Sequence, residues 1–257
     1  MLIKKILHGY RGGLDFNNTI TEHCYLDKKI KLTLNFPICN PKKSKKIDIK
    51  NYPYTESGWF DKNHNQIAHY KYVAIHESYW FYWPIIRFPL SGELGDIRVN
   101  ITISKLGSSI TNNDELGFSI LEQYNDYYNS PIIEKLGKGY NTEIFNKIEE
   151  ESRHRATSFS DEEKIEWFES RIYRSGFPKL NFFDKCIFNE TEWIKYTEKR
   201  CSELHKKYVY ATRLNNNYYL NVAFTLSINM SHSDTYWYKH ADAAVVALME
   251  SIRLDNH

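Results

Sequence analysis

The sequence predicts an α+β fold in which antiparallel meander sheets pack against helices. Apolar and polar residues alternate over 218–228, and a period of two is typical of a strand with one buried face. An apolar stripe with helical spacing follows over 237–252. Aromatic residues make up 16% of the 257 residues, whereas there are only 11 Gly and 7 Pro, and this composition favours sheet packing over extended linkers.

The N-terminal half contains two alternating segments and one helix. Residues 30–38 and 97–103 alternate between apolar and polar side chains, which predicts strands. Residues 85–90 precede the second of these strands across a polar turn at 91–96. A helix is predicted over 113–128, because its apolar residues recur at helical spacing.

Two further helices are predicted in the middle of the chain. The first covers 142–153. The second covers 161–175, because Ser160 and Glu163 have the spacing of a capping box at its start and Gly176 followed by Pro178 ends it. We expect the apolar side of this second helix to be formed by Ile165, Phe168 and Ile172.

The C-terminal region is predicted to be an antiparallel meander that a helix closes. Residues 193–197 could form a strand or a capped helix, and their dense aromatic and β-branched residues favour the strand. Residues 208–214 and 218–228 form a predicted β-hairpin, since the Asn residues at 215–217 tolerate a tight turn. The closing helix is expected to begin after Ser233 or Asp234 and to pack on the buried face of this hairpin.

The order hairpin, alternating strand, turn and helix occurs near 85–128 and again near 208–252. This repetition is compatible with two similar α+β halves, 1–130 and 131–257, produced by an internal duplication. It is equally compatible with a single compact domain, because units of this kind are common in α+β proteins.

The charge of the chain is balanced, with 34 Lys plus Arg against 32 Asp plus Glu and a net charge of +2. Dedicated nucleic-acid binders usually have a large basic excess, so we consider nucleic acid an unlikely partner class. The basic cluster Lys42–Lys46 leaves two interpretations open: contact with phosphates by a nucleic-acid-associated accessory protein, or a solvated loop between strands.

The N-terminus and the cysteines bear on the compartment. Lys4 and Lys5 interrupt the first apolar stretch, which argues against a secretory signal, and no window approaches the ~20 apolar residues that span a bilayer. We therefore expect a cytoplasmic protein with no membrane partner. The four Cys are expected to stay as thiols, and no C-x-x-C pair suggests a metal site.

No motif in the sequence indicates which reaction, if any, the protein catalyses. The chain has no G-x-S-x-G elbow, no H-E-x-x-H and no phosphate-binding glycine loop of the Walker type. The spacing of His64, His69 and His76 does not place them on one face, and His232 and His240 have no carboxylate at a fixed distance. We expect no catalytic residue, no cofactor, no metal and no small-molecule substrate. The alternative is an enzyme of unrecognised class.

Two groups of residues are candidates for binding a partner protein. Residues 77–84 include five consecutive aromatics, so either both faces of this strand are covered or one set of rings forms an exposed patch; the candidates are Trp80, Tyr82 and Trp83. The second group is Glu162, Glu166 and Glu169, which lie on one face of the predicted helix. That face is either an ordinary solvated surface or an acidic surface for a basic partner.

The C-terminal quarter resembles small bacterial immunity proteins, especially those that neutralise type VI secretion effectors. The resemblance is carried by residues 193–196, 208–210, 217–224 and 237–254. It implies a protein without enzymatic activity that binds a cognate toxin and blocks its active site or substrate path. Because no signal segment is recognised, the resemblance implies a toxin that acts in the cytoplasm.

Overall fold

The structure is a computed structural model that describes residues 9–40, 51–67, 70–86, 92–132, 139–155, 158–199, 205–229 and 236–256. Within these ranges the chain forms 12 strands and 5 helices, and the two sheets are mainly antiparallel. The α+β class predicted from the sequence is therefore confirmed.

The strands, in chain order, are β1 (Tyr10–Gly12), β2 (Thr19–Leu26), β3 (Ile30–Pro37), β4 (Asn51–Tyr52), β5 (Asn65–Ile67), β6 (Tyr70–Pro84), β7 (Gly95–Lys105), β8 (Asp184–Phe188), β9 (Thr191–Lys199), β10 (His205–Arg213), β11 (Tyr218–Ile228) and β12 (Ile252–Asn256). The helices are α1 (Trp59–Asn63), α2 (Asn113–Tyr128), α3 (Tyr140–Arg153), α4 (Asp161–Ser175) and α5 (Tyr236–Glu250). The bounds of α2 and α4 agree with the sequence prediction, and 193–197 lies in a strand as expected.

The larger sheet has eight strands in the order β1-β6-β7-β11-β10-β9-β8, with β5 paired to β6. Strands β8 to β11 form the predicted antiparallel meander. At the centre of the sheet, β7 pairs with β11 along its whole length, from Gly95 opposite Ile228 to Lys105 opposite Tyr218. Strands from 1–130 and from 131–257 are thus hydrogen-bonded in one sheet.

The smaller sheet has four strands in the order β12-β3-β2-β4. Its edge strand β12 corrects the sequence interpretation, which took Ile252 as the last residue of the helical stripe. In the structure α5 ends at Glu250, Ser251 forms a turn and Ile252 begins a strand that pairs with Leu34 of β3. Residues 252–256 are therefore part of a sheet.

The main core lies between the two sheets and includes the inner face of α5. Trp80 shows how the layers are tied together: its indole Nε1 donates to the carbonyl oxygens of Pro37 and Ile38, each at 3.2 Å. From α5, Trp237, Ala241, Ala244, Val245, Leu248 and Met249 are buried. The closing helix therefore packs on the hairpin of β10 and β11, as predicted.

Helix α2 covers part of the opposite face of the large sheet. Its residues Leu116 and Ile120 pack on Ile194, Ala211 and Tyr219. Helices α2 and α5 consequently lie on opposite faces of that sheet. None of the helices within the described residues has the length and apolar content needed to cross a membrane.

Candidate partner-binding surfaces

The aromatic strand β6 sends its side chains to both faces of the large sheet. Trp80 and Tyr82 point into the main core and are 0% exposed. They cannot meet a partner while the protein is folded, so the hypothesis that they are surface anchors is corrected. The physical reason is that the smaller sheet and α5 cover this face of β6.

Trp83 lies on the other face of β6, with Tyr79 and Phe81. The three rings follow one another along the strand, with centroid separations of 5.4 Å and 5.9 Å. All three side chains are half-buried. The ring of Trp83 lies against Gly12, where a Cβ atom would come within 2.7 Å of it and the φ angle of +78° favours glycine. This aromatic row retains Trp83 as a partly accessible candidate residue.

Helix α4 carries the acidic residues selected from the sequence. Its start is fixed as predicted: the Ser160 hydroxyl accepts from the Glu163 backbone N–H, and the Glu163 carboxylate accepts from the Ser160 backbone N–H at 2.7 Å. Unlike α2 and α5, however, α4 has no fully buried residue. Of the three residues expected on its apolar side, Ile165 is 53% exposed, whereas Phe168 and Ile172 are half-buried.

The contacts that hold α4 come mainly from α3. Phe168 packs against Phe145 with ring centroids 6.1 Å apart. The Arg171 guanidinium donates to the Glu151 carboxylate at 2.6 Å, and this hydrogen bond lowers the pKa of Glu151. One side of α4 therefore packs on α3 and forms an ion pair with it, and the opposite side of α4 faces away from α3.

The outer side of α4 combines three carboxylates with exposed apolar surface. Glu162, Glu166, Glu169 and Tyr173 are spaced by four, three and four residues, so they share one face of the helix. Tyr173 is 81% exposed, and Ile165 lies beside this face. None of the three carboxylates forms an ion pair with any residue that the structure describes. We call Glu162, Ile165, Glu166, Glu169 and Tyr173 the α4 outer face.

This arrangement has the chemistry of a docking surface. An exposed tyrosine can bury its ring against a partner while its hydroxyl stays hydrogen-bonded, and tyrosine is enriched among residues that dominate binding energy. Surrounding carboxylates attract a basic partner and favour one orientation of approach. The sequence predicted the acidic residues but not Tyr173. Tyr173 lies 11 residues after Glu162, a spacing that places the two on the same helix face, so the sequence could have identified Tyr173 as part of this surface.

Among the described residues, His76 and His240 take structural positions. His76 contacts the Ser78 hydroxyl at 2.6 Å and the Glu22 carboxylate at 3.3 Å, and thereby links the two sheets. His240 contacts the Tyr82 hydroxyl at 3.1 Å, and burial lowers its pKa. Within the described ranges, no three or more His, Cys, Asp or Glu side chains form a group that could hold a metal ion.

The cluster Lys42–Lys46, His69 and His232 lie outside the described residues. The two interpretations of the lysine cluster therefore remain those that the sequence offers.

Comparison with known proteins found no matching family model, no matching curated protein and no matching solved structure.

Proposed function

We propose that this protein is a cytoplasmic immunity protein that binds a cognate bacterial toxin, of the kind delivered by type VI secretion, and blocks its active site or substrate path. The protein performs no chemical step itself. The proposal rests on the resemblance of the C-terminal quarter to such immunity proteins and on the α4 outer face.

The observation that carries the proposal is a 15-residue helix in which no residue is fully buried. Most helices in globular proteins owe their stability to an apolar face packed on the core. Helix α4 instead presents Tyr173, Ile165 and three carboxylates to solvent. A surface that contributes little to the core yet combines an aromatic anchor with unpaired charges is well suited to bind another protein.

The test takes the product of the neighbouring gene as the candidate toxin. Cells that express this toxin should survive when they also express the protein, and the two purified proteins should form a stable complex. A neighbour that has no toxicity, or toxicity that this protein does not relieve, would contradict the proposed function.

Variants then locate the interface. Tyr173→Ala should weaken toxin binding about 30-fold, which corresponds to the loss of a central anchor of about 2 kcal/mol. The matched control is Tyr236→Ala, since Tyr236 is also an exposed tyrosine on a helix but lies on α5. Equal effects of the two substitutions would exclude the α4 outer face as the interface.

Charge reversal tests the electrostatic part. The double substitution Glu166→Lys with Glu169→Lys should slow association about tenfold and remove most of its salt dependence. The control pair is Glu122→Lys with Asp126→Lys, which makes the same charge change on the exposed side of α2. Association that responds equally to both pairs would show that only the net charge matters.

A further inference from the structure

A second surface feature is independent of the α4 outer face. It is a cleft of about 340 Å³ on the α2 side of the large sheet, near the C-terminal end of that helix. The residues that line it are Tyr128, Phe177, Glu198, Lys199, Lys207, Thr225 and Ser227. Its volume is at the lower end of the ~300–1,000 Å³ that is usual for small-molecule sites, so a ligand must be small.

The floor of the cleft is a row of polar side chains set by strand register. Lys207 on β10 pairs with Glu198 on β9 and with Thr225 on β11, so the three residues lie side by side across three strands. The Lys207 ammonium donates to both Glu198 carboxylate oxygens, at 3.1 Å and 3.0 Å. Burial opposes the charge of Lys207, but the attraction and hydrogen bonding of Glu198 outweigh it and raise the lysine pKa.

One wall of the cleft is aromatic. The rings of Tyr128 and Phe177 lie 4.1 Å apart between centroids. Phe177 follows Gly176, the C-cap residue of α4, and Tyr128 is the last residue of α2. The cleft therefore has a flat apolar wall beside a floor of hydrogen-bond donors and acceptors.

The ion pair on the floor keeps free hydrogen-bonding capacity. An ammonium has three donors and a carboxylate has about four acceptor positions, so the contact between Lys207 and Glu198 leaves at least one donor and two acceptors. The side chains of Lys207 and Glu198 remain 30% and 14% exposed. Thr225 and Ser227 add hydroxyl groups, each of which can donate and accept.

These features select the chemistry of a ligand. Glu198 neutralises Lys207, and Lys199 comes directly after Glu198 on β9, so its side chain leaves the strand on the opposite face. The floor therefore offers little attraction to an anion. A purely apolar ligand would strip water from the ion pair without replacing its hydrogen bonds, which is costly. A neutral molecule with several hydroxyl groups and one apolar face would satisfy both the floor and the wall. We infer that this cleft binds a small neutral carbohydrate, of one or two sugar units.

The test is a titration of the full-length, isotopically labelled protein with glucose, galactose, mannose and N-acetylglucosamine, each followed by NMR. At least one sugar should shift the backbone amide signals of Glu198, Lys207, Thr225 and Ser227, with a Kd of about 1 mM or tighter. Adenosine monophosphate and benzoate, as anionic probes with flat rings, should bind at least tenfold more weakly.

Two variants assign the binding to the cleft. Thr225→Val keeps the shape of the side chain but removes its hydroxyl, and the double substitution Glu198→Gln with Lys207→Met removes both charges together. Each should weaken sugar binding at least tenfold. The control is Lys195→Met, because Lys195 is also on β9 but places its ammonium over the rings of Tyr208 and Tyr210.

Several outcomes would overturn the inference. They are the absence of signal shifts with all four sugars, tighter binding of either anionic probe, or sugar binding that Thr225→Val leaves unchanged. Thr225→Val is the deciding variant if the double substitution impairs folding, which a thermal unfolding curve would reveal. Toxin binding plays no part in this titration, so the result is independent of the proposed immunity function.

Discussion

At the scale of single residues, neighbours along β6 have opposite surroundings. Trp80 is enclosed by the core and its indole nitrogen is hydrogen-bonded to two carbonyl oxygens, whereas Trp83 is half-buried on the other face. The alternation of a strand predicted that adjacent rings would separate in this way. The sequence could not decide which set was covered, because that depends on the smaller sheet and on α5, which lie far away in the chain.

This difference leads to a prediction about stability. Trp80→Ala should reduce the free energy of unfolding by about 3–5 kcal/mol, because it leaves a large cavity in the core. Trp83→Ala should cost about 1 kcal/mol, as expected for a half-exposed ring. Urea unfolding followed by circular dichroism measures both. Equal losses for the two substitutions would contradict the positions of these rings.

His240 predicts a dependence of stability on pH. Burial lowers its pKa in the folded state, whereas the unfolded state keeps a value of about 6.5. Above about pH 6.5 both states are neutral at this residue and its contribution is complete. As the pH falls below this value, the unfolded state takes up a proton first, so the free energy of unfolding decreases.

The measurement compares the wild type with His240→Gln between about pH 7 and pH 5. The wild type should lose more stability on acidification than the variant, because only the wild type has a histidine here whose pKa is lower in the folded state than in the unfolded state. His23→Gln on β2 serves as the control, since His23 is exposed. An unchanged pH profile in His240→Gln would show that this histidine does not contribute.

At the scale of elements, helices with similar sequence signals have different roles. Helix α2 begins with the Asn112 side chain accepting from the Glu115 backbone N–H and then packs on the large sheet. Helix α4 also begins with a hydrogen-bonded N-cap, but it packs mainly on α3. Caps and helical periodicity predict where a helix begins and ends. They do not reveal whether its apolar side packs on the core, so they could not predict the exposure of Ile165.

Removing the two caps should therefore have different consequences. Ser160→Ala removes about 1 kcal/mol of local stability from α4, so the amides of that helix should exchange with solvent about fivefold faster while the sheets are unaffected. Asn112→Ala should instead lower the stability of the whole protein, because α2 is part of the packed structure. Hydrogen exchange and urea unfolding distinguish the two. Global destabilisation by Ser160→Ala would contradict the peripheral position of α4.

At the scale of the whole molecule, the large sheet joins distant parts of the chain. The elements of the C-terminal region were predictable because their contacts are local: a hairpin, a meander and a helix that follows directly. The pairing of β7 with β11 and of β12 with β3 was not predicted, since it joins residues more than 100 positions apart. Alternation identifies a strand but not its partner.

The β7–β11 pairing predicts how fragments behave. A fragment of residues 1–130 lacks β11 and therefore exposes the edge of β7, including Ile97, Val99, Ile101 and Ile103. We expect this fragment to aggregate or remain unfolded, and the full chain to unfold in one cooperative transition. Size-exclusion chromatography and thermal unfolding test both statements. A monomeric fragment with its own cooperative transition would contradict them.

We propose that the protein acts by presenting the α4 outer face to a toxin. Hydrogen exchange of the protein, alone and mixed with the candidate toxin from the neighbouring gene, locates the surface that the toxin covers. We expect the amides of α4, Asp161–Ser175, to exchange about tenfold more slowly in the complex, while those of β6 stay unchanged. A complex that leaves the exchange of α4 unchanged would contradict this proposal.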